Sequence, residues 1–156
     1  MNTLLRSLLL VATLGCASAW AQVKVEQAWA RATVQGQKAT GAFMKFTAPQ
    51  TTQLVGVSSP AAGVAEIHEM KMDAGVMKMR AVPALDLPAN QAVELKPGGY
   101  HLMLMDLKTP LAKDASVALT LTFRDAKGVQ SQQQVTLPVS TGMPTGGAAN
   151  MHNHSH

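Results

Sequence analysis

The sequence predicts an all-β protein, an antiparallel sandwich or barrel of short strands. Three observations carry this. Glycine and proline punctuate the chain from Gly36 through Pro49, Pro60, Gly75 and Pro88 to Pro138, leaving runs of about 5–10 residues. Several of these runs alternate with period two, and no stretch suits a long amphipathic helix. At 156 residues the chain has the length of one ordinary domain. A composition of 47% hydrophobic and 14% charged residues excludes a disordered polyampholyte and a coiled coil. Aromatics at 4% argue against a base-stacking surface, and the singly scattered basic residues argue against nucleic acid.

The predicted strands lie near 23–33, 39–48, 52–58, 64–72, 76–82, 92–96, 100–107, 116–124 and 129–139. The first three are runs set off by Gly36, Pro49 and Pro60. In 64–72, His68, Met70 and Met72 share one face, with Ala65 and Ile67 on the other. Asp73-Ala74-Gly75 then reads as a turn into 76–82. A two-residue turn at Asp73-Ala74 sets His68 opposite Met79; a three-residue turn ending at Gly75 sets it opposite Arg80. In 93–96, 117–123 and 135–139 the odd positions are apolar, as in Val117, Leu119, Leu121 and Phe123. In 100–107, His101, Met103 and Met105 face one way, and Leu102 and Leu104 face the core. Asp125-Ala126-Lys127-Gly128 is a hairpin turn with Gly128 available for positive φ.

Residues 1–21 are expected to be a signal peptide. Arg6 closes a short charged segment, Leu8 to Leu14 is a short apolar run, and Ala19-Trp20-Ala21 supplies small residues for cleavage before Gln22. The apolar run falls far short of a membrane span. A lipoprotein anchor at Cys16 is the competing reading; Thr13-Leu14-Gly15-Cys16 lacks an aliphatic residue three positions before the cysteine. Cleavage leaves a domain at 22–139 and a flexible Met/His-rich tail at 140–156, rich also in Gly, Thr and Asn. The only cysteine leaves with the signal peptide, so neither a disulfide nor a thiolate serves the mature chain.

Ten methionines and five histidines are the compositional anomaly. Six of the methionines fall between 70 and 105, beside His68 and His101. A single strand histidine is most often a hydrogen-bonded surface or core residue, and a strand methionine is most often core filler. Here, however, methionines and histidines alternate onto single faces while separate Leu, Ile and Val residues supply the opposite ones. His68, Met79, His101 and Met103 could form a His2Met2 set. Thioethers are neutral and soft; they suit Cu(I) and serve Zn(II), Mg(II) or Ca(II) poorly, and imidazole tolerates either copper oxidation state.

His68, ten residues, Met79, twenty-one residues, His101, one residue, Met103 resembles the H-x10-M-x21-H-x-M motif of the periplasmic PCu(A)C copper chaperones. Ala28-Trp29-Ala30-Arg31, Ile67-His68-Glu69-Met70 and Pro97-Gly98-Gly99-Tyr100 resemble family segments as well, and the likeness extends from about Val23 to Val139. The resemblance implies a cupredoxin-like barrel and a surface Cu(I) site at His68, Met79, His101 and Met103. It implies delivery to the Cu(A) centre of cytochrome c oxidase, with subunit II or its assembly factors as partner. Met70, Met72, Met77 and Met105 stand outside the motif and read as neighbours, some of them core.

The expected protein is thus a periplasmic copper carrier, monomeric, neither inserted in a membrane nor an enzyme. Copper sequestration for tolerance, without an acceptor, is the alternative. A blue-copper electron carrier would need a cysteine ligand. Catalysis would need an acid–base pair such as His68 with Glu69 or His101 with Asp106, yet Glu69 points to the face opposite His68. In the tail, His152, His154 and His156 alternate and are expected to offer an auxiliary Cu(II) site, because imidazole nitrogen favours Cu(II) among divalent ions. The bland alternative is an inert solvated end. Ordering the tail costs about 1–2 kcal/mol per residue fixed, so this site is the weaker of the two. Deleting Thr141 to His156 is predicted to leave Cu(I) binding intact and to lower Cu(II) uptake; an unchanged Cu(II) titration and EPR spectrum would return the tail to its inert reading.

Overall fold

Ten strands, β1 (Lys24–Arg31), β2 (Ala39–Thr47), β3 (Thr52–Ser58), β4 (Ala62–Asp73), β5 (Val76–Ala81), β6 (Leu85–Leu87), β7 (Ala92–Leu95), β8 (Tyr100–Leu107), β9 (Ser116–Asp125) and β10 (Gln130–Ser140), make up the protein in the computed structural model, which describes residues 22–145. The spatial order is β5-β4-β8-β2-β1-β10-β9-β3-β6, with β7 also paired to β2. Phe46 of β2 meets Phe123 of β9 edge-on at 6.0 Å, so the two halves of this folded sheet close on each other as a sandwich. Among the described residues no helix is long and apolar enough to cross a membrane.

Alternation locks β8, β9 and β10 into this core. Val117, Leu119, Leu121 and Phe123 are buried from β9, and Val135, Leu137 and Val139 from β10. The β9–β10 turn has the predicted chemistry: Gly128 takes φ +83° and donates to the Asp125 carbonyl at 3.0 Å, and the Asp125 carboxylate accepts from Lys127 and Val129 N–H at 2.9 Å. Leu102 and Leu104 of β8 are fully buried, which turns His101, Met103 and Met105 toward the outer face.

The structure departs from expectation at four places. β6 has only three residues, too few for a period to register, and is held as an edge on β3 by buried Leu85 and Leu87. The sheet is not wholly antiparallel: β1 and β10 run parallel, because the first and last strands meet side by side at Ala30–Val139 and Arg31–Ser140. β10 therefore extends one residue past 139, and the Ser140 carbonyl accepts the Ala32 N–H at 2.8 Å. Finally, β1 bulges between Glu26 and Trp29, with Gln27 at φ +51°; the extra residue turns Trp29 to the outer face while Ala30 stays in the core. The signal peptide at 1–21 and the candidate ligands His152, His154 and His156 lie outside the described residues.

Phe46 is fully buried at the centre of the interface between the halves. Phe46→Ala is predicted to cost about 3–5 kcal/mol of stability in urea unfolding; a loss below 1 kcal/mol would mean the two halves do not depend on this contact.

Candidate metal centre

The outer face of β5, β4, β8 and β2 carries the site. β4 pairs with β8 so that His68 lies directly opposite His101, Glu66 opposite Met103 and Ile67 opposite Leu102. β2 pairs with the other edge of β8, placing Gly41 opposite Met103. Cross-strand partners share a face, so Glu66, His68, His101 and Met103 stand on one surface while Ile67 and Leu102 enter the core. Glu69 lies on the opposite face, as expected, and its carboxylate is bound by Arg80 at 2.8 Å, which with the Tyr100 hydroxyl holds it below the usual carboxylate range.

The β4–β5 hairpin corrects both expected registers. The turn is Ala74-Gly75, with φ of +48° and +79°, closed by the Asp73–Val76 pair. Two positive φ values match the right-handed twist of the flanking strands. His68 therefore faces Ala81, not Met79 or Arg80, and Met79 faces Met70. From the edge strand the Met79 side chain reaches over β4, and its Sδ lies 3.2 Å from His101 Nε2.

The Pro97-Gly98-Gly99 segment sets the ring of His101. β7 and β8 both pair with β2 and run in the same direction, with Lys96–Gly99 as a protruding turn between them. The Gly99 carbonyl extends the β4–β8 ladder by one rung, accepting the Met70 N–H at 3.1 Å, and meets His101 Nδ1 at 3.2 Å. With Nδ1–H donating there, the lone pair of neutral His101 sits on Nε2, facing the Met79 sulfur. At metal–nitrogen and metal–sulfur bonds of about 2.0 and 2.3 Å, one ion bridges this pair after a shift of a few tenths of an ångström.

His68 is held differently. Its Nε2 lies 2.8 Å from the Glu66 carboxylate. Its Nδ1 is buried and without a hydrogen-bond partner, and its ring centroid is 5.7 Å from that of His101. If Nε2–H donates to Glu66, Nδ1 carries the lone pair, and a carboxylate behind an imidazole both fixes the tautomer and strengthens the ring as a donor. Met103 joins Met79, Met70 and His101 around an open pocket of about 310 Å³ that Arg31, Phe43 and Gly98 also line. Beneath it, Phe43 packs at 4.7 Å on Trp29 and 6.3 Å from His101, with the Arg31 guanidinium 5.4 Å from the Phe43 centroid. Gly41 makes room for that ring, since a Cβ there would come within 2.8 Å of Phe43 Cζ.

The donor set is soft and neutral. Among the described residues no group of three or more His, Cys, Asp or Glu side chains is arranged to hold a metal. The soft side-chain donors beside His101 in the pocket are the thioethers of Met79, Met70 and Met103. The structure brings His101 and Met79 into contact, with Met103 in the same pocket and His68 directly across from His101. Two contributors escaped the sequence reading. Glu66 was legible as the i−2 neighbour of His68 on the same face; the Gly99 carbonyl depends on the turn between β7 and β8. The reading of Met70, Met72, Met77 and Met105 as neighbours holds for Met70, which lines the pocket, but none of the four is core: all lie on the outer face of β4, β5 or β8 and none is buried.

The family model described as "Putative lipoprotein LpqE-like" matches residues 23–139. A "Putative lipoprotein" of Leifsonia xyli subsp. xyli (strain CTCB07) is 36% identical over 118 residues, 75% of this chain and 69% of the relative. An uncharacterized protein of Rickettsia prowazekii (strain Madrid E) is 37% identical over 131 residues, 80% and 70% of the two chains. Among solved structures, the copper-bound PCuAC domain from PmoF2 is 24% identical with a TM-score of 0.61, covering 80% of this chain and 97% of that one. The solution structure of Cu(I)-bound DR1885 from Deinococcus radiodurans is 31% identical with a TM-score of 0.61, covering 81% and 85%.

Burial lowers the pKa of His101 from the ordinary 6.5, with the charges of His68 and Arg31 adding to it and the Gly99 hydrogen bond opposing. Below 6.5 the unfolded chain then binds a proton that the folded chain refuses. This residue's contribution to stability is therefore complete above 6.5 and is lost as pH falls from there through its folded pKa. A ring-nitrogen NMR titration is predicted to place the His101 midpoint below 6.5; a midpoint at or above that value would contradict the burial argument.

Proposed function

The chain belongs to the LpqE-like family of PCuAC domains, and from that membership we propose that it is an exported copper chaperone holding Cu(I) at His68, Met79, His101 and Met103. The observation that carries the reading is the part-buried contact of two unlike neutral donors, Met79 Sδ and His101 Nε2, at 3.2 Å on the outer face of the sheet. Copper is the cargo. Two thioethers and two imidazoles leave the bound ion with its single positive charge, which suits Cu(I) and disfavours dications. In the copper-bound relatives, metal sits on this same fold.

The site's openness supports handover. Met79 is 48% exposed on an edge strand, so an acceptor's ligands can reach the copper there first and displace the remaining donors in turn. His101 and His68 are nearly buried and keep their rings oriented throughout. The protein works as a carrier rather than a catalyst, and the Cu(A) centre of cytochrome c oxidase subunit II, reached directly or through assembly factors, is the proposed destination. The proposed export to the periplasm is supported by the leader-like pattern at 1–21 and by the lipoprotein names of the family and of the Leifsonia relative. The tail histidines His152, His154 and His156 are proposed as the auxiliary Cu(II) site.

Met79→Leu and Met103→Leu nearly conserve volume while deleting the sulfur. Each is predicted to fold normally and to lose at least tenfold in Cu(I) affinity in a competition titration. Copper should also pass from the parent protein to a purified apo oxidase subunit II domain, followed as metal content of the two separated proteins. Parent-like affinity in both variants would overturn the ligand assignment, and retention of copper against an excess of acceptor would favour sequestration.

A further inference from the structure

The β4–β5 hairpin carries more sulfur than the four-ligand site uses. Met72 pairs with Met77 and Met70 with Met79 in adjacent rows of one face. That is the face of His68 and His101, so the thioethers form a ladder from the hairpin tip to the imidazoles. Met72 is 59% exposed and Met77 44%. Every residue of β5 is exposed, and β5 ends the sheet. Apolar side chains on an open edge invite aggregation and gain little from packing, so core filling does not account for them.

The charges of the hairpin stay on its other face. Glu69 and Arg80 pair at 2.8 Å, Lys78 is held by Asp73 at 2.6 Å, and Lys71 lies opposite Lys78. The sulfur face itself carries no ionised side chain between the Met72–Met77 row and His68. Directly paired residues have Cβ atoms about 4.5–5.5 Å apart, and successive rows are spaced by about 7 Å. Methionine, with three rotatable bonds, spans both separations. Met70 occupies the middle of the ladder and lines the same pocket as Met79, His101 and Met103.

We propose that Met72 and Met77, with Met70, form a second, labile Cu(I) site at the hairpin tip, from which copper enters the Met79–His101 centre. The proposal rests on the reading of that centre as a Cu(I) site. Lacking imidazole, the tip binds more weakly than the centre. Passage is ligand exchange alone: each Cu–S bond broken is replaced by one to the next sulfur or to His101 Nε2. All the donors are neutral, so neither a proton nor an electron moves. An edge position lets the tip collect copper without disturbing the two buried rings.

The test is an Ag(I) titration of the protein labelled with 13C in its methionine methyl groups, Ag(I) serving as a redox-inert, diamagnetic stand-in for Cu(I). Met79 and Met103 should respond to the first equivalent, and Met72, Met77 and Met70 to the second. In the double variant Met72→Leu/Met77→Leu the first step should persist, the second step at Met70 should vanish, and loading of the centre from a Cu(I) chelate should slow severalfold. Both positions are exposed, so the variant's amide spectrum should match the parent's outside the hairpin. Unmoved Met72 and Met77 methyls at three equivalents, or unchanged loading in the variant, would overturn the proposal. Silence at Met79 and Met103 with a response at Met72 and Met77 would count against the centre instead and leave the tip site standing.

Discussion

Burial of Leu102 and Leu104 fixes the pleat of β8, and the candidate metal centre depends on that phase. Both are fully buried, and a one-residue slip would exchange them with His101 and Met103. β8 is also the strand flanked by β4 on one edge and by β2 on the other. Its apolar face therefore anchors the core while its outer face receives His68 and Glu66 from one side and Gly41 from the other. Hydrophobic burial, which has no direction of its own, orients a donor set that must be directional.

Around that strand the two histidines are secured by different means. His101 is held by a backbone carbonyl from the protruding Pro97-Gly98-Gly99 turn and by the Phe43 and Trp29 rings below it. His68 is held by Glu66 and by its place across from His101. Each arrangement engages one ring nitrogen and leaves the other as a donor. Burial adds to this by favouring the neutral form of His101, the form a metal requires. The thioethers need no such control, since they neither titrate nor ionise. The imidazoles are thus buried and hydrogen-bonded, whereas Met79 is half-exposed.

The same division appears in the stability of the elements. β8, β2 and β9 are buried along their whole apolar faces. β5 has no buried residue and is tied to the rest mainly through β4. Low local burial makes such a hairpin the part that opens most readily. That is where Met79 sits, so its side chain can move with little cost to the core.

Alternation in the sequence determined the all-β class, most strand positions and the faces of β4 and β8, because burial selects every second residue and leaves that period in the composition. It also put His68, His101 and Met103 on donor-bearing faces and Glu69 facing away, while the full set with Met79 was what the family resemblance implied. The partnerships were decided by tertiary structure. Asp73-Ala74-Gly75 admits several turns, and only the fit of Ala74 and Gly75 at positive φ to the strand twist moved Met79 from His68 to Met70. The bulge that turns Trp29 outward, the three-residue β6 and the parallel β1–β10 seam have no periodic signature, since each is settled by what the neighbouring strands leave unpaired. The contact of Met79 with His101 belongs to the same group: the two residues lie on strands that never pair, and only a third strand between them brings sulfur and nitrogen together.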